Sequence, residues 1–318
     1  MSKTSIIAKQ LQEKGFVVLS NFLDEDDISS DMSVWLEGAP KFKDGVVGSI
    51  PTNFMGKIQS KIANLIPGLA QNIGIEIDAD IYIYSAIRLN RSQGEPALRL
   101  PFHYHLDPKI APGGVLNWHL DHFSYYLGGD HTNYLICYLP VQKPDIHSCN
   151  LAIIPYDILK KLDSCTFMRV QHRGALRFRC VESDTMAWFQ MRFPNELVEV
   201  GQWYAIDDFY PSPGWKLDID IEQHKVVPQL SVGDLLIMRA DVIHRTEDAK
   251  TDRISIRCDA IPRNARWLYS WFSLFKMGLM LPFEYPKVRY NKKIWLKAVL
   301  ANRLRASKLG HYFLSRPQ

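Results

Sequence analysis

The chain has 318 residues, of which 47% are apolar, 23% charged and 12% aromatic, enough apolar side chain for one large core or two modest ones. No uninterrupted apolar run reaches the roughly 18 residues of a membrane span, and the N-terminus (MSKTSIIAKQLQEKGF) turns polar after Ile7; a membrane helix and a signal-peptide core are not expected, and a cytoplasmic protein is. The net charge of +4 is unevenly spread: residues 263–318 hold 12 of the 38 basic side chains and a single acid, Glu284, whereas residues 1–262 carry 26 basic against 33 acidic.

Residues 4–14 place Ile6, Ile7 and Leu11 on one stripe of a short amphipathic helix that Gly15 stops. Phe16-Val17-Val18-Leu19 reads as a buried strand, and the acidic cluster Asp24 to Asp27 as a helix start. Residues 57–72 have helical spacing at Ile58, Ile62, Leu65 and Leu69, with an interruption expected at Pro67. From residue 79 onward strands dominate: 81–89, 98–105, 118–126, 133–141, 150–155, 175–180, 201–206, 234–239 and 253–261, separated by Gly, Pro or Asp/Asn turns. Eight or more strands after a helical start predict an α+β protein, mainly β, with a closed or sandwiched β core and helices packed outside. The five cysteines (Cys137, Cys149, Cys165, Cys180, Cys258) are odd in number and never spaced C-x-x-C, so they read as buried small hydrophobes rather than as disulfides or zinc ligands.

The segment Asn117-Trp118-His119-Leu120-Asp121-His122 contains H-x-D. On a strand, period two puts His119 and Asp121 on one face and Trp118 and Leu120 on the other. A second imidazole from a distant strand would complete the two-histidine, one-carboxylate facial arrangement of non-haem iron(II) oxygenases, and His244, at the end of the apolar run after Gly233-Asp234, supplies it. Nine residues later comes Arg253, which shares a strand face with Ser255 and Arg257. A guanidinium pointing into a β core requires an anion, and its planar fork matches a carboxylate; a dicarboxylate cosubstrate would meet both metal and arginine. A competing H-x-D at His105-Leu106-Asp107, with His103 on the same face, is followed by Pro108 and reads as a strand running into a turn. Arg257 is the rival to Arg253 as the carboxylate partner, and His122 and His131 read as supporting or surface residues.

Glu13-Lys14-Gly15-Phe16-Val17-Val18-Leu19 with Phe22-Leu23-Asp24, then Trp118-His119-Leu120-Asp121, Asn150 to Pro155, and Gly233-Asp234-Leu235-Leu236 leading to His244-Arg245-Thr246 and Arg253, together resemble the phytanoyl-CoA dioxygenase family of iron(II)/2-oxoglutarate oxygenases. The order of elements matches from about residue 8 to 262. The resemblance implies a double-stranded β-helix (a cupin-like jelly roll) with His119, Asp121 and His244 as iron ligands. It also implies that Arg253 grips the far carboxylate of 2-oxoglutarate, with Thr246 adding a hydrogen bond and Ser255 and Arg257 beside it. The implied reaction uses Fe(2+), 2-oxoglutarate and O2, releases succinate and carbon dioxide, and hydroxylates, desaturates or ring-closes a small metabolite. Because Asp121 is retained, halogenation is disfavoured. Two features depart from the family: Asn150 stands where a Gly is usual, and the 125 residues from His119 to His244 are more than usual. The extra length falls in residues 156–226, read as a substrate-covering insertion within an oxygenase domain spanning 1–262; of its aromatic and basic residues (Arg169, His172, Arg173, Arg177, Arg179, Trp188, Phe189, Arg192, Trp203 and Tyr204) most read as core or surface, and substrate contact is the other reading.

Two other classes are compatible with the same residues: a cupin-type isomerase or hydrolase that does not use 2-oxoglutarate, and a non-catalytic β-sandwich binding protein with structural histidines. Residues 263–318 read as a basic, aromatic, helical C-terminal extension. It either packs on the body or meets a membrane surface or an acidic carrier protein. Nucleic acid is not expected as a partner, because the acidic body repels phosphate and no reading motif is present.

Overall fold

The computed structural model describes residues 3–37, 45–47, 51–74, 79–89, 118–120, 135–148, 150–171, 176–207, 214–247 and 253–262. The expected strand 98–105 with His103, His105 and Asp107, most of the expected strand 118–126, and the whole extension 263–318 lie outside them. Among the described residues no helix is long and apolar enough to cross a membrane.

The helices are α1 (Lys3–Lys14), α2 (Glu25–Glu37), α3 (Thr52–Ile73), α4 (Tyr156–Leu162), α5 (Ser164–Val170) and α6 (Met186–Arg192). The strands are β1 (Phe16–Leu19), β2 (Gly45–Val47), β3 (Ala79–Leu89), β4 (Leu135–Gln142), β5 (Leu151–Ile153), β6 (Leu176–Cys180), β7 (Trp203–Asp207), β8 (Trp215–Lys216), β9 (Leu235–Arg239), β10 (His244–Thr246) and β11 (Arg253–Pro262). One prediction needs correction: α3 does not stop at Pro67. The proline lies on the exposed side of the helix, while Phe54, Ile58, Ile62, Ile66 and Leu69 are fully buried. Burial of that stripe, at about 1.5–3 kcal/mol per large apolar side chain, offsets a proline cost of about 3 kcal/mol. The cysteine reading also changes in part, since Cys137 and Cys258 are buried but Cys165 is exposed.

A large antiparallel sheet runs in the order β1-β9-β4-β11-β3-β2. On its outer face Cys137, Leu139, Leu235, Ile237, Ile254 and Ile256 pack with Leu11 of α1 and the buried stripe of α3. On its inner face Phe16, Ile136, Tyr138, Leu236 and Met238 meet Leu151 and Ile153 of a second sheet. That second sheet is assembled from β5-β10 and β6-β7-β8, and the segment 118–120 lies between the two groups, because His119 bridges both His244 and Arg177. Its outer face carries Trp118, Leu120, Ala152, Phe178, Ala205 and Ile243 in one apolar cluster. Residues 156–226, expected as a covering insertion, therefore supply strands β6 to β8 to the same sheet as His119 and His244. The result is a mixed α+β architecture of two facing antiparallel sheets with helices against the large one.

Candidate metal centre

His119 and His244 stand directly opposite each other on adjacent antiparallel strands and exchange both backbone hydrogen bonds, His119 N–H to His244 C=O at 3.0 Å and the reverse at 3.2 Å. Residues opposed in this way project to the same face. Trp118 and Leu120 are wholly buried in the outer core, so the two imidazoles face inward between the sheets, both about 95% buried. Their ring centroids are 4.4 Å apart. Two imidazoles bound to one metal at about 2.1 Å, with a right angle between the bonds, have centroids about 4.5 Å apart. The separation fits a shared ion.

The tautomer of the neutral ring fits as well. Nδ1 of His244 lies 2.8 Å from the carbonyl oxygen of Val242. A carbonyl can only accept, so Nδ1 carries a proton, and in the neutral ring the lone pair then falls on Nε2, the arrangement a metal-binding imidazole adopts when its other nitrogen is held by the chain. Asp121, the expected carboxylate ligand, lies outside the described residues. Among the described residues no group of three or more His, Cys, Asp or Glu side chains is close enough to hold an ion.

The expected carboxylate partners come from both sheets. Thr246 shares the inner face of β10 with His244, and Arg253 begins β11 in the large sheet, where it is 3% exposed. The Arg253 guanidinium donates to Thr246 Oγ1 at 3.2 Å and lies 5.8 Å over the ring of Tyr138. Ser255 is buried on the same strand face, but its hydroxyl goes to the Tyr138 hydroxyl at 2.6 Å, so it holds the aromatic platform beneath Arg253. Arg257, half-buried, is paired in register with Tyr138. Arg253 is joined to the histidine strand through Thr246.

Three supports were not visible from the motif. On the outer face, Trp118 Nε1 donates to Glu222 at 2.7 Å, Arg245 binds the same carboxylate at 2.8 Å, and the Arg245 guanidinium lies 5.0 Å over the Trp118 ring. Trp118 and Arg245 are the chain neighbours of His119 and His244, so this cluster fastens the two histidine strands from behind. Glu247 extends it through Arg245 and Lys225; burial pushes its carboxyl up, but the hydrogen bonds from Lys225 and Arg245 outweigh that and hold it below the ordinary 4.5. Before β10, the buried Asp241 accepts from the Tyr156 hydroxyl and from Arg239. Desolvation, reinforced by Asp241, holds the Tyr156 phenol well above its ordinary range, so it remains a donor. Gly15, with φ of +79°, passes so close to Val242 that a Cβ there would come within 2.6 Å of Cγ2. Asn150, the departure from the family pattern, is buried and structural: its Oδ1 accepts from Lys143 at 2.8 Å and from the backbone N–H of Leu230 at 3.2 Å, tying the turn before β5 to the chain before β9.

No family model matches the chain, and no curated protein matches its sequence. Solved structures are similar to it. They include the non-heme alpha ketoglutarate dependent epimerase SnoN from nogalamycin biosynthesis, at 12% identity over 81% of this chain and 83% of that one with a TM-score of 0.44. EctD from S. alaskensis, with 2-oxoglutarate and 5-hydroxyectoine, is 12% identical over 82% of this chain and 76% of its own, TM-score 0.41. A Pseudomonas putida prolyl-4-hydroxylase is 10% identical over 82% and 96%, TM-score 0.42.

Proposed function

We propose that the chain is a non-haem iron(II)- and 2-oxoglutarate-dependent oxygenase that oxidises a small molecule. The observation that carries this reading is the register pairing of two inward imidazoles at a metal-sharing distance, with the buried Arg253 bonded to Thr246 on the same strand as His244. His119, His244 and Asp121 hold the iron on a double-stranded β-helix of the phytanoyl-CoA dioxygenase kind. Bound iron, 2-oxoglutarate and dioxygen together supply an oxidant strong enough to attack a carbon–hydrogen bond, with succinate and carbon dioxide as co-products.

The protein's own residues bind, orient and exclude water. Val242 fixes the His244 tautomer, and Arg253 meets the distal carboxylate of 2-oxoglutarate while Thr246 and the Ser255–Tyr138 pair fix the guanidinium. The apolar residues Leu151 and Ile153, on the same face as Thr246 and His244, keep bulk water from one side of the site.

Anaerobic titration of the apoprotein with ferrous iron and then 2-oxoglutarate tests the proposal through the visible charge-transfer band of the chelate. The band is expected in the native protein, absent in His119→Ala, and in Arg253→Ala shifted to much higher 2-oxoglutarate. The lost charge-assisted pair is worth about 2–3 kcal/mol, or roughly 30–150-fold. Iron bound without a band would instead favour a cupin-type enzyme that does not use 2-oxoglutarate. Absence of metal binding altogether would leave the binding-protein reading.

A further inference from the structure

On the inner face of the large sheet, Ser255 of β11 donates through Oγ to the Tyr138 hydroxyl of β4 at 2.6 Å. Ile254 and Ile256, on either side of Ser255, point into the outer core, so the serine faces the space between the sheets. Both groups are removed from water, with Tyr138 7% exposed and Ser255 1%. Each hydroxyl carries one proton. The bond between them uses the serine proton, and neither hydroxyl makes another hydrogen bond among the described residues. The phenolic proton is left over in a buried position, where a donor without an acceptor is costly. Accepting from Ser255 also polarises the phenol and strengthens it as a donor.

The side chains around that proton are donors as well. The Arg253 guanidinium lies over the Tyr138 ring and has only N–H groups to offer. Thr246 Oγ1 accepts one of them and keeps its own O–H. Three strands, β4, β10 and β11, thus bring donors together at one end of the site, two residues along β10 from His244. A carboxylate accepts through about four lone-pair sites and brings no proton of its own. A carboxamide would set two further N–H groups against these donors, and a methyl group would leave the phenol unanswered.

Resting on the oxygenase reading, we propose that Tyr138 is a specificity-determining residue whose hydroxyl donates directly to the distal carboxylate of 2-oxoglutarate. Ser255 is a positioning residue that holds the phenol in that orientation. Tyr138 therefore adds to the preference for a 2-oxo acid that ends in a second carboxylate over one that ends in a methyl group. The two hydroxyls are unequal in this role: without Ser255 the phenol keeps its proton, whereas without the phenol oxygen the bond to the carboxylate is gone.

The test is an equilibrium titration of the full chain, loaded anaerobically with ferrous iron, with 2-oxoglutarate and separately with 2-oxobutyrate. The second acid chelates through the same 2-oxo acid end and lacks the distal carboxylate. The visible chelate band reads both affinities in the native protein, in Tyr138→Phe and in Ser255→Ala. Tyr138→Phe is expected to bind 2-oxoglutarate about tenfold or more weakly and 2-oxobutyrate within about twofold of native, the latter showing that the variant is folded. Ser255→Ala is expected to lose only about two- to threefold for 2-oxoglutarate. Equal weakening of the two acids in Tyr138→Phe would mark a merely structural tyrosine and overturn the proposal. Unchanged 2-oxoglutarate affinity in Tyr138→Phe, or a larger loss in Ser255→Ala than in Tyr138→Phe, would overturn it too. Each of these outcomes occurs with the native band intact, so the oxygenase reading survives them; a native protein that gives no band with 2-oxoglutarate overturns both.

Discussion

Gly15→Ala is expected to destabilise the chain by about 2–5 kcal/mol, and the origin of that figure is separable. The residue has φ of +79°, a left-handed conformation that costs an L-residue about 1–2 kcal/mol. A Cβ would also lie 2.6 Å from Val242 Cγ2 and 3.0 Å from the Tyr156 ring. Neither neighbour can yield easily: Val242 is fully buried and Tyr156 is anchored to Asp241. Overpacking of that sort adds about 1–3 kcal/mol. Gly74→Ala is the matched control, since that residue has φ of +70° and no atom within 4 Å of its Cβ position. It should lose only the conformational part. Urea denaturation of both variants, compared through midpoints at constant slope, measures the difference. Equal destabilisation of the two within about 0.5 kcal/mol would refute the steric argument, because such a result falls below the smallest overpacking cost. The same variant links stability to the site. A displaced Val242 carries its carbonyl away from His244 Nδ1, and ferrous affinity should fall about tenfold, as for other losses of a group that orients a ligand. Gly74→Ala should leave iron binding unchanged.

Arg245→Ala removes the cation over Trp118 and the bonds to Glu222 and Glu247. Because the network is partly exposed, a loss of about 1–2 kcal/mol in chemical denaturation is expected, with iron affinity lowered although the Arg245 side chain binds the outer cluster of Trp118, Glu222 and Glu247. Unaltered iron affinity would show that the outer cluster does not hold the histidine strands. Asp241→Asn leaves the largely buried Arg239 without its countercharge and should cost about 3–5 kcal/mol by urea midpoint, whereas Tyr156→Phe removes one donor and should cost about 1–2 kcal/mol. Similar losses in the two would argue against a buried ion pair as the main support. Glu247 titrates below its ordinary 4.5 in the folded chain, so its contribution is fully present above pH 4.5 and is lost as pH falls through the folded value. The acid limb of the stability curve should be shallower in Glu247→Gln; an identical limb would exclude this group as a source of acid sensitivity.

Much of this organisation was legible because period-two patterning is strong where one sheet face is apolar. Alternation of Trp118 and Leu120 with His119 places each side chain on the face the structure assigns it. The strands at 135–142 and 235–239 are instead continuous apolar runs buried on both faces, and they were legible as such. Pro67 misled because local propensity cannot weigh a buried stripe on the far side of a helix. The pairing of β6 with the His119 strand was not legible because it is non-local: Leu176 and Phe178 join a segment more than fifty positions away, which no periodicity encodes. Glu222 and Trp118 are 104 positions apart, and Tyr156 and Asp241 are 85 apart, so neither pair had a local signal. Gly15 was readable as a helix stop, but its approach to Val242 was not.

The histidine position is specified chiefly by residues that never face the site. Trp118, Leu120, Leu176 and Phe178 are all fully buried in the outer cluster, and each contributes about 1.5–3 kcal/mol by leaving water. A slip of one residue in the 118–120 segment would turn Trp118 and Leu120 into the space between the sheets and His119 out into an apolar core. It would also break the tie from Trp118 to Glu222 and the stacking of Arg245. The penalty for that slip far exceeds anything the histidine itself gains from its own contacts. The two histidines can therefore be held on the polar inner face beside Arg177, because the opposite face of the same strands makes the alternative register inaccessible.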